Sequence, residues 1–139
     1  MKKTKLERML SHKNREITKT VKKVVRWEKS QKTRTQLKKK ADILFSKWVR
    51  SRDGKCLMCG RLTSLQCAHI ITRANLTLRY APDNCVTLCY GCHIQKWHRS
   101  PLEGVTWFQT KYPARYKWLM KAKNFIVKPE YEKIIEKYQ

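Results

Sequence analysis

Acidic side chains are scarce in this chain. Ten Asp and Glu stand against 33 Lys and Arg in 139 residues, which leaves a formal charge of +23. Self-repulsion of that size works against a compact state and is relieved by a polyanion. A solvated lysine surface does not account for the imbalance. Nucleic acid is the polyanion that fits first, and an anionic membrane surface fits less well. Long apolar runs are missing too. No segment approaches the ~20 apolar residues of a bilayer-spanning helix. The basic opening MKKTKLERML has no apolar run of signal-peptide length. A soluble, cytoplasmic protein with no membrane partner is the expectation. There is no internal repeat, and cysteine is absent outside one window: all six lie between Cys56 and Cys92. In a reducing cytosol, paired C-x-x-C reads as a metal site before a disulfide. A chain of this length fits one modest core, which a metal staple would help to fold.

The organisation follows from patterning. Residues 1–36 are rich in Lys, Arg and Thr, with Leu6, Met9, Leu10, Ile17, Val21, Val24 and Val25 at roughly helical spacing. They read as a basic arm, helical or partly disordered. Leu37, Ala41, Leu44, Phe45, Trp48 and Val49 fall on one face of a lead-in helix that ends at Asp53-Gly54. Strand character follows over Leu65 to Ile71 and Cys85 to Leu88, joined by the loop Thr72 to Asn84, and a short helix is expected over Tyr90 to Arg99. Pro101 and Pro113 suit first helical positions. The expected architecture is a small α+β fold. A zinc-stapled domain with its lead-in helix fills 37–110, and a helical extension fills 111–139.

Within that frame two constellations carry chemistry. Cys56-x-x-Cys59 and Cys89-x-x-Cys92 supply four thiolates from two knuckles, the donor set of a closed, structural tetrahedral zinc. Cys67 and Cys85 are left over and read first as small packed residues, with a swapped ligand set as the alternative. Between the knuckles stand His69, Asn84 and, just after the second, His93. Phosphodiester hydrolysis needs a base, a cation near the phosphate and something to hold the geometry. His69 at a strand end suits the base. His93 on the following helix suits a metal ligand, and Asn84 could fix the backbone around His69.

The pieces AHI, LRYAPDN, LCYGCH and HRSPLEG, with the lead-in helix and CLMCG, resemble the HNH, or ββα-metal, endonuclease superfamily in its zinc-bearing phage form. The lead-in helix followed by C-x-x-C is similar to the phage recombination nucleases called NinG or Rap. The resemblance implies a ββα-metal module and phosphodiester hydrolysis. It casts His69 as general base, Asn84 as loop-positioning residue and His93 as ligand of a catalytic ion. Mg²⁺ or Mn²⁺ is expected there, with other divalent ions open. One departure matters. Many members carry a metal-binding Asp or His just before the base, and here that position is Ala68. His98, five positions after His93, is the candidate replacement. Arg73, Arg79, Lys96 and Arg99 are the candidate DNA contacts, and DNA, branched or nicked, is the expected partner. A homodimer, or association with phage packaging or recombination proteins, is also open. An arm making roughly 6–10 phosphate contacts would lose about 10³–10⁵ in affinity between about 50 and 200 mM salt. The competing reading is a non-catalytic zinc-ribbon DNA-binding accessory protein, which needs the cysteines and the charge but not the His–Asn–His series.

Overall fold

The computed structural model describes residues 4–139, apart from the side chains of Lys29 and Lys32. It divides into two compact units, one ending at Lys38 and one spanning Lys39–Gln139. The helix α1 covers Lys5–Asp53. Its start is fixed by a reciprocal cap. The Thr4 amide donates to Glu7 Oε2 at 2.8 Å, and the Glu7 amide donates to Thr4 Oγ1 at 3.2 Å, which satisfies amides that the first helical turn leaves open. The basic arm is thus helical where described. Leu6, Leu10, Ile17, Val21 and Val24 line one face and are exposed, while Arg8, Arg15, Lys19 and Arg26 fall on the opposite face at 100° per residue.

In the second unit, Ala41, Phe45 and Val49 recur at i, i+4 and are buried, as the apolar stripe predicts. Phe45 meets Tyr80 edge-on at 5.7 Å and Tyr138 at 5.2 Å between ring centroids. One antiparallel pair forms the sheet: β1 (Leu65–His69) and β2 (Cys85–Cys89), in the register Leu65↔Cys89 through His69↔Cys85. β1 stops two residues short of the expected Ile71. The Ile70 amide still donates to the carbonyl of Asn84, its partner in register, but the Ile71 amide donates to the Asn84 side chain and so leaves the ladder. A 3₁₀ turn at Pro82–Asn84 feeds β2.

The short helix predicted after β2 is a π-helix, Cys92–His98, with the Arg99 amide donating to the Ile94 carbonyl at 3.0 Å. Then come α2 (Pro101–Lys111), α3 (Pro113–Ala122) and α4 (Tyr131–Tyr138). Leu119 and Ala122 of α3 join Leu78, Val86, Leu88, Trp97 and Phe108 in the main core. Residues after 110 therefore pack into the same unit as the cysteine-bearing segment. Among the described residues no helix is long and apolar enough to cross a membrane.

α2 approaches the π-helix so closely that Gly104 has no room for a side chain. A Cβ there would lie 2.5 Å from the Trp97 ring and 2.9 Å from the Lys96 carbonyl oxygen. Gly104→Ala is expected to destabilise the fold by about 1–3 kcal/mol through overpacking. Thermal unfolding measures it, and an unchanged midpoint would contradict this packing.

Candidate metal and nuclease site

The first knuckle is built by backbone geometry. The Gly60 amide donates to the Cys56 carbonyl at 2.8 Å, and Gly60 takes φ +79°, a conformation that favours glycine. The Leu57 amide donates to the Thr87 carbonyl at 2.9 Å, docking the knuckle on β2. This brings the sulfurs of Cys56, Cys59, Cys89 and Cys92 within 4.8 Å of one another. Cys59 Sγ and Cys89 Sγ lie 3.7 Å apart. Two thiolates on a tetrahedral zinc with bonds of about 2.3 Å stand about 3.8 Å apart, so the spacing fits that ion. Burial raises the Cys56 thiol, but backbone hydrogen bonds from Cys89, Cys59 and Met58 outweigh it and bring it to about 7. Burial and the neighbouring sulfurs push the Cys92 thiol up. A shared cation is what lets all four ionise together. The four-cysteine cluster can hold a structural metal such as zinc.

His69 ends β1 and is held on two sides. Its Nε2 lies 3.0 Å from the Arg79 carbonyl oxygen, and its own carbonyl accepts from Trp97 Nε1 at 3.1 Å. Since a carbonyl can only accept, Nε2 carries the proton and Nδ1 holds the free lone pair. Burial, reinforced by Arg73, holds the imidazole below its ordinary 6.5. The ring is neutral at pH 7.

Asn84 is fully buried and its carboxamide is saturated. Oδ1 accepts from the Ile71 amide at 2.7 Å, and Nδ2 donates to the carbonyls of Ile71 at 2.9 Å and Leu78 at 3.0 Å. It fixes both ends of the loop that supplies the Arg79 carbonyl to His69.

The π-helix supplies the third part. His93 and His98 are five positions apart, about 140° around an α-helix, but the wider i to i−5 turn of the π-helix brings them back towards one face. The two Nε2 atoms lie 3.1 Å apart. His93 Nδ1 sits 2.6 Å from Gln66 Oε1 on β1, so it donates and leaves Nε2 as the acceptor. Burial, with added positive charge from His98, His69 and Arg73, lowers His93 to about 4. Two ring nitrogens at this distance share either a proton or a cation. Metal–nitrogen bonds of about 2.1 Å place cis ligands about 3.0–3.4 Å apart, so the pair fits one ion. Ala68 is fully buried and takes no part. Gln66, on the same face of β1, reaches His93 instead.

His69, His93, His98 and Arg73 line one cleft of about 610 Å³, together with Arg50 and Cys67. Arg73 is exposed there. Lys96 pairs loosely with Glu103 at 3.8 Å, Arg99 donates to Gln95 at 3.1 Å, and both are exposed. The structure does not place Arg79 as a phosphate clamp. It is buried, bonds both oxygens of Asp42 at 2.8 and 2.6 Å, and donates to the Arg73 carbonyl at 2.7 Å. An arginine so engaged has its fork filled, and its carbonyl, not its guanidinium, serves the site.

A family model described as Bacteriophage Lambda NinG protein matches residues 1–139. The chain belongs to the NinG family. No curated protein and no solved structure matches it. In this NinG-family chain the sequence reading missed Gln66 and Arg50. Strand alternation puts Gln66 on the face of Ala68, which was the available signal for it. Arg50 lies one helical turn from Ser46, another cleft residue, and nothing in the local pattern distinguishes it from its basic neighbours.

Asn84→Ala would leave the half-buried amide and carbonyl of Ile71 without these partners, while the Leu78 carbonyl keeps the Ala81 amide. At roughly 1–3 kcal/mol for an orphaned group, the NinG-family chain should lose about 2–4 kcal/mol in denaturant unfolding. A loss under about 0.5 kcal/mol would show that these bonds are dispensable.

Proposed function

We propose that this chain is a phage-encoded, divalent-metal-dependent DNA endonuclease of the HNH, or ββα-metal, type. The observation that carries the reading is the convergence of a neutral His69, with Nδ1 free, and the His93–His98 pair, 3.1 Å apart, in one arginine-lined cleft. The family description supports a phage role connected with recombination. The excess of 23 positive charges supports DNA as the partner.

His93 and His98 would hold a divalent ion such as Mg²⁺ or Mn²⁺ through Nε2. When bound, that ion supplies charge stabilisation at the phosphate and the leaving oxygen. The chain's own residues do the rest. His69 Nδ1 takes a proton from water as the water oxygen bonds to phosphorus and the bond to the leaving oxygen breaks. The Nε2–H bond to the Arg79 carbonyl fixes the tautomer this requires. Trp97 anchors the His69 backbone from beneath. Gln66 orients His93, as the outer hydrogen bond of a metal-bound histidine commonly does. Arg73 and Arg50 face the cleft where a phosphate would lie, and Lys96 and Arg99 extend the basic rim.

His69→Ala should lower strand cleavage by about 10²–10⁴, the range of a lost general base, with DNA affinity retained. Undiminished cleavage would remove His69 from the mechanism. Tight DNA binding with no divalent-dependent nicking would favour the zinc-stapled accessory protein instead.

The pH profile has a definite sign. The base works only when unprotonated, and its pKa lies below the ordinary 6.5. Cleavage, measured as kcat/KM, should fall as pH drops, with a midpoint below pH 6.5. An acid limb centred above that value would contradict the buried, neutral imidazole.

A further inference from the structure

The cysteines left outside the four-sulfur cluster are not scattered. Cys67 and His69 are two apart on β1 and so share a face, and Cys85 stands directly across from His69 in the antiparallel register. The ligand atoms of the three residues all lie within 4.8 Å of one another, the same closeness as in the four-cysteine cluster. Cys85 is fully buried, while Cys67 and His69 are partly open to the cleft. We propose that Cys67, Cys85 and His69 form a second metal site, selective for thiophilic divalent ions such as Zn²⁺, Co²⁺ or Cd²⁺.

The donor set sets the selectivity. Two thiolates beside an imidazole suit soft and borderline ions, and it is the thiolates that exclude Mg²⁺, which prefers oxygen. Three protein ligands leave a fourth position, and the cleft gives it access to water. Nε2 of His69 is committed to the Arg79 carbonyl, so Nδ1 is the nitrogen that would bind. The charge balance is favourable despite the arginines nearby. The S–H bonds of Cys67 and Cys85 break, two sulfur–metal bonds form, and two protons leave to solvent, so the site's net charge is unchanged. Burial pushes the Cys85 thiol up, so its ionisation depends on the incoming ion displacing the proton.

Occupancy has a consequence that rests on the nuclease reading. The ion would take the Nδ1 lone pair that water needs. Zinc in excess of the four-cysteine cluster would therefore switch cleavage off, while Mg²⁺ would not.

The test is a Co²⁺ titration of the full chain, read by sulfur-to-cobalt charge-transfer absorption, in wild type, Cys67→Ser and Cys85→Ala. Wild type should fill in two steps, the second about half the amplitude of the first because two thiolates bind where four did. Both variants should keep the first step and lose the second. The retained first step also shows that they fold. A single step in wild type, or two steps in both variants, would overturn the site. In parallel, added Zn²⁺ should suppress Mg²⁺-supported nicking by wild type and spare Cys67→Ser. Equal suppression of both would overturn the inhibitory role. If no protein nicks DNA at all, the nuclease reading fails, and the cobalt titration still decides the metal site.

Discussion

The register of one short antiparallel ribbon sets the position of everything that carries chemistry. Leu65 opposite Cys89 places the second knuckle at one end of the ribbon, and His69 opposite Cys85 places the imidazole at the other. A slip of one residue would turn every β1 side chain to the other face. It would take His69 from the cleft and Gln66 from His93. Two elements outside the ribbon hold that register. The Asn84 carboxamide ties off β1 at Ile71. Asp53, at the end of α1, accepts from the Thr87 amide at 2.8 Å in the middle of β2. The cysteine knuckle docks on that same residue through the Leu57 amide, so a metal in the cluster would brace the ribbon that aims the histidines.

Basic residues serve this scaffold in a way that net charge conceals. Arg52 donates to the carbonyls of Pro82 and Cys85, and Arg115 reaches those of Asp83 and Cys85. Arg79 locks onto Asp42. Three guanidiniums thus satisfy backbone carbonyls or a carboxylate around the loop that ends at Asn84. Their five-donor forks suit such work better than a lysine would. Exposed basic residues remain along the helical arm, at Arg73, Lys96 and Arg99, and on the C-terminal helices at positions such as Lys117 and Lys121.

Much of this arrangement was legible in the sequence. The doublet spacing of Cys56, Cys59, Cys89 and Cys92 announced a shared site because no ordinary core needs it. Strand alternation bounded by turn residues located β1 and β2, and put His69 at a strand end and Asn84 at the close of the loop. Other features were hidden for physical reasons. A seven-residue π-helix has no pattern distinct from an α-helix, so the alignment of His93 with His98 needed coordinates. The role of Arg79 depends on Asp42, 37 positions away, and local charge patterning could not foresee that pair. Gln66 was overlooked because amides are common on strands and its partner, His93, lies 27 positions on. In the arm, the cap between Thr4 and Glu7 was written in the T-x-x-E spacing and was the overlooked evidence for helix over disorder.

The proposed hydrolysis of DNA in the cleft, with a divalent ion held by His93 and His98, is open to direct measurement. A cleavage panel tests it most directly. The purified, zinc-loaded chain is incubated with labelled linear duplex, nicked duplex, flap and four-way junction DNA, in Mg²⁺, in Mn²⁺ and in chelator. Strand scission of at least one DNA form is expected in Mg²⁺ or Mn²⁺ and none in chelator. Intact DNA in every lane, from a protein that binds those same DNAs, would contradict it.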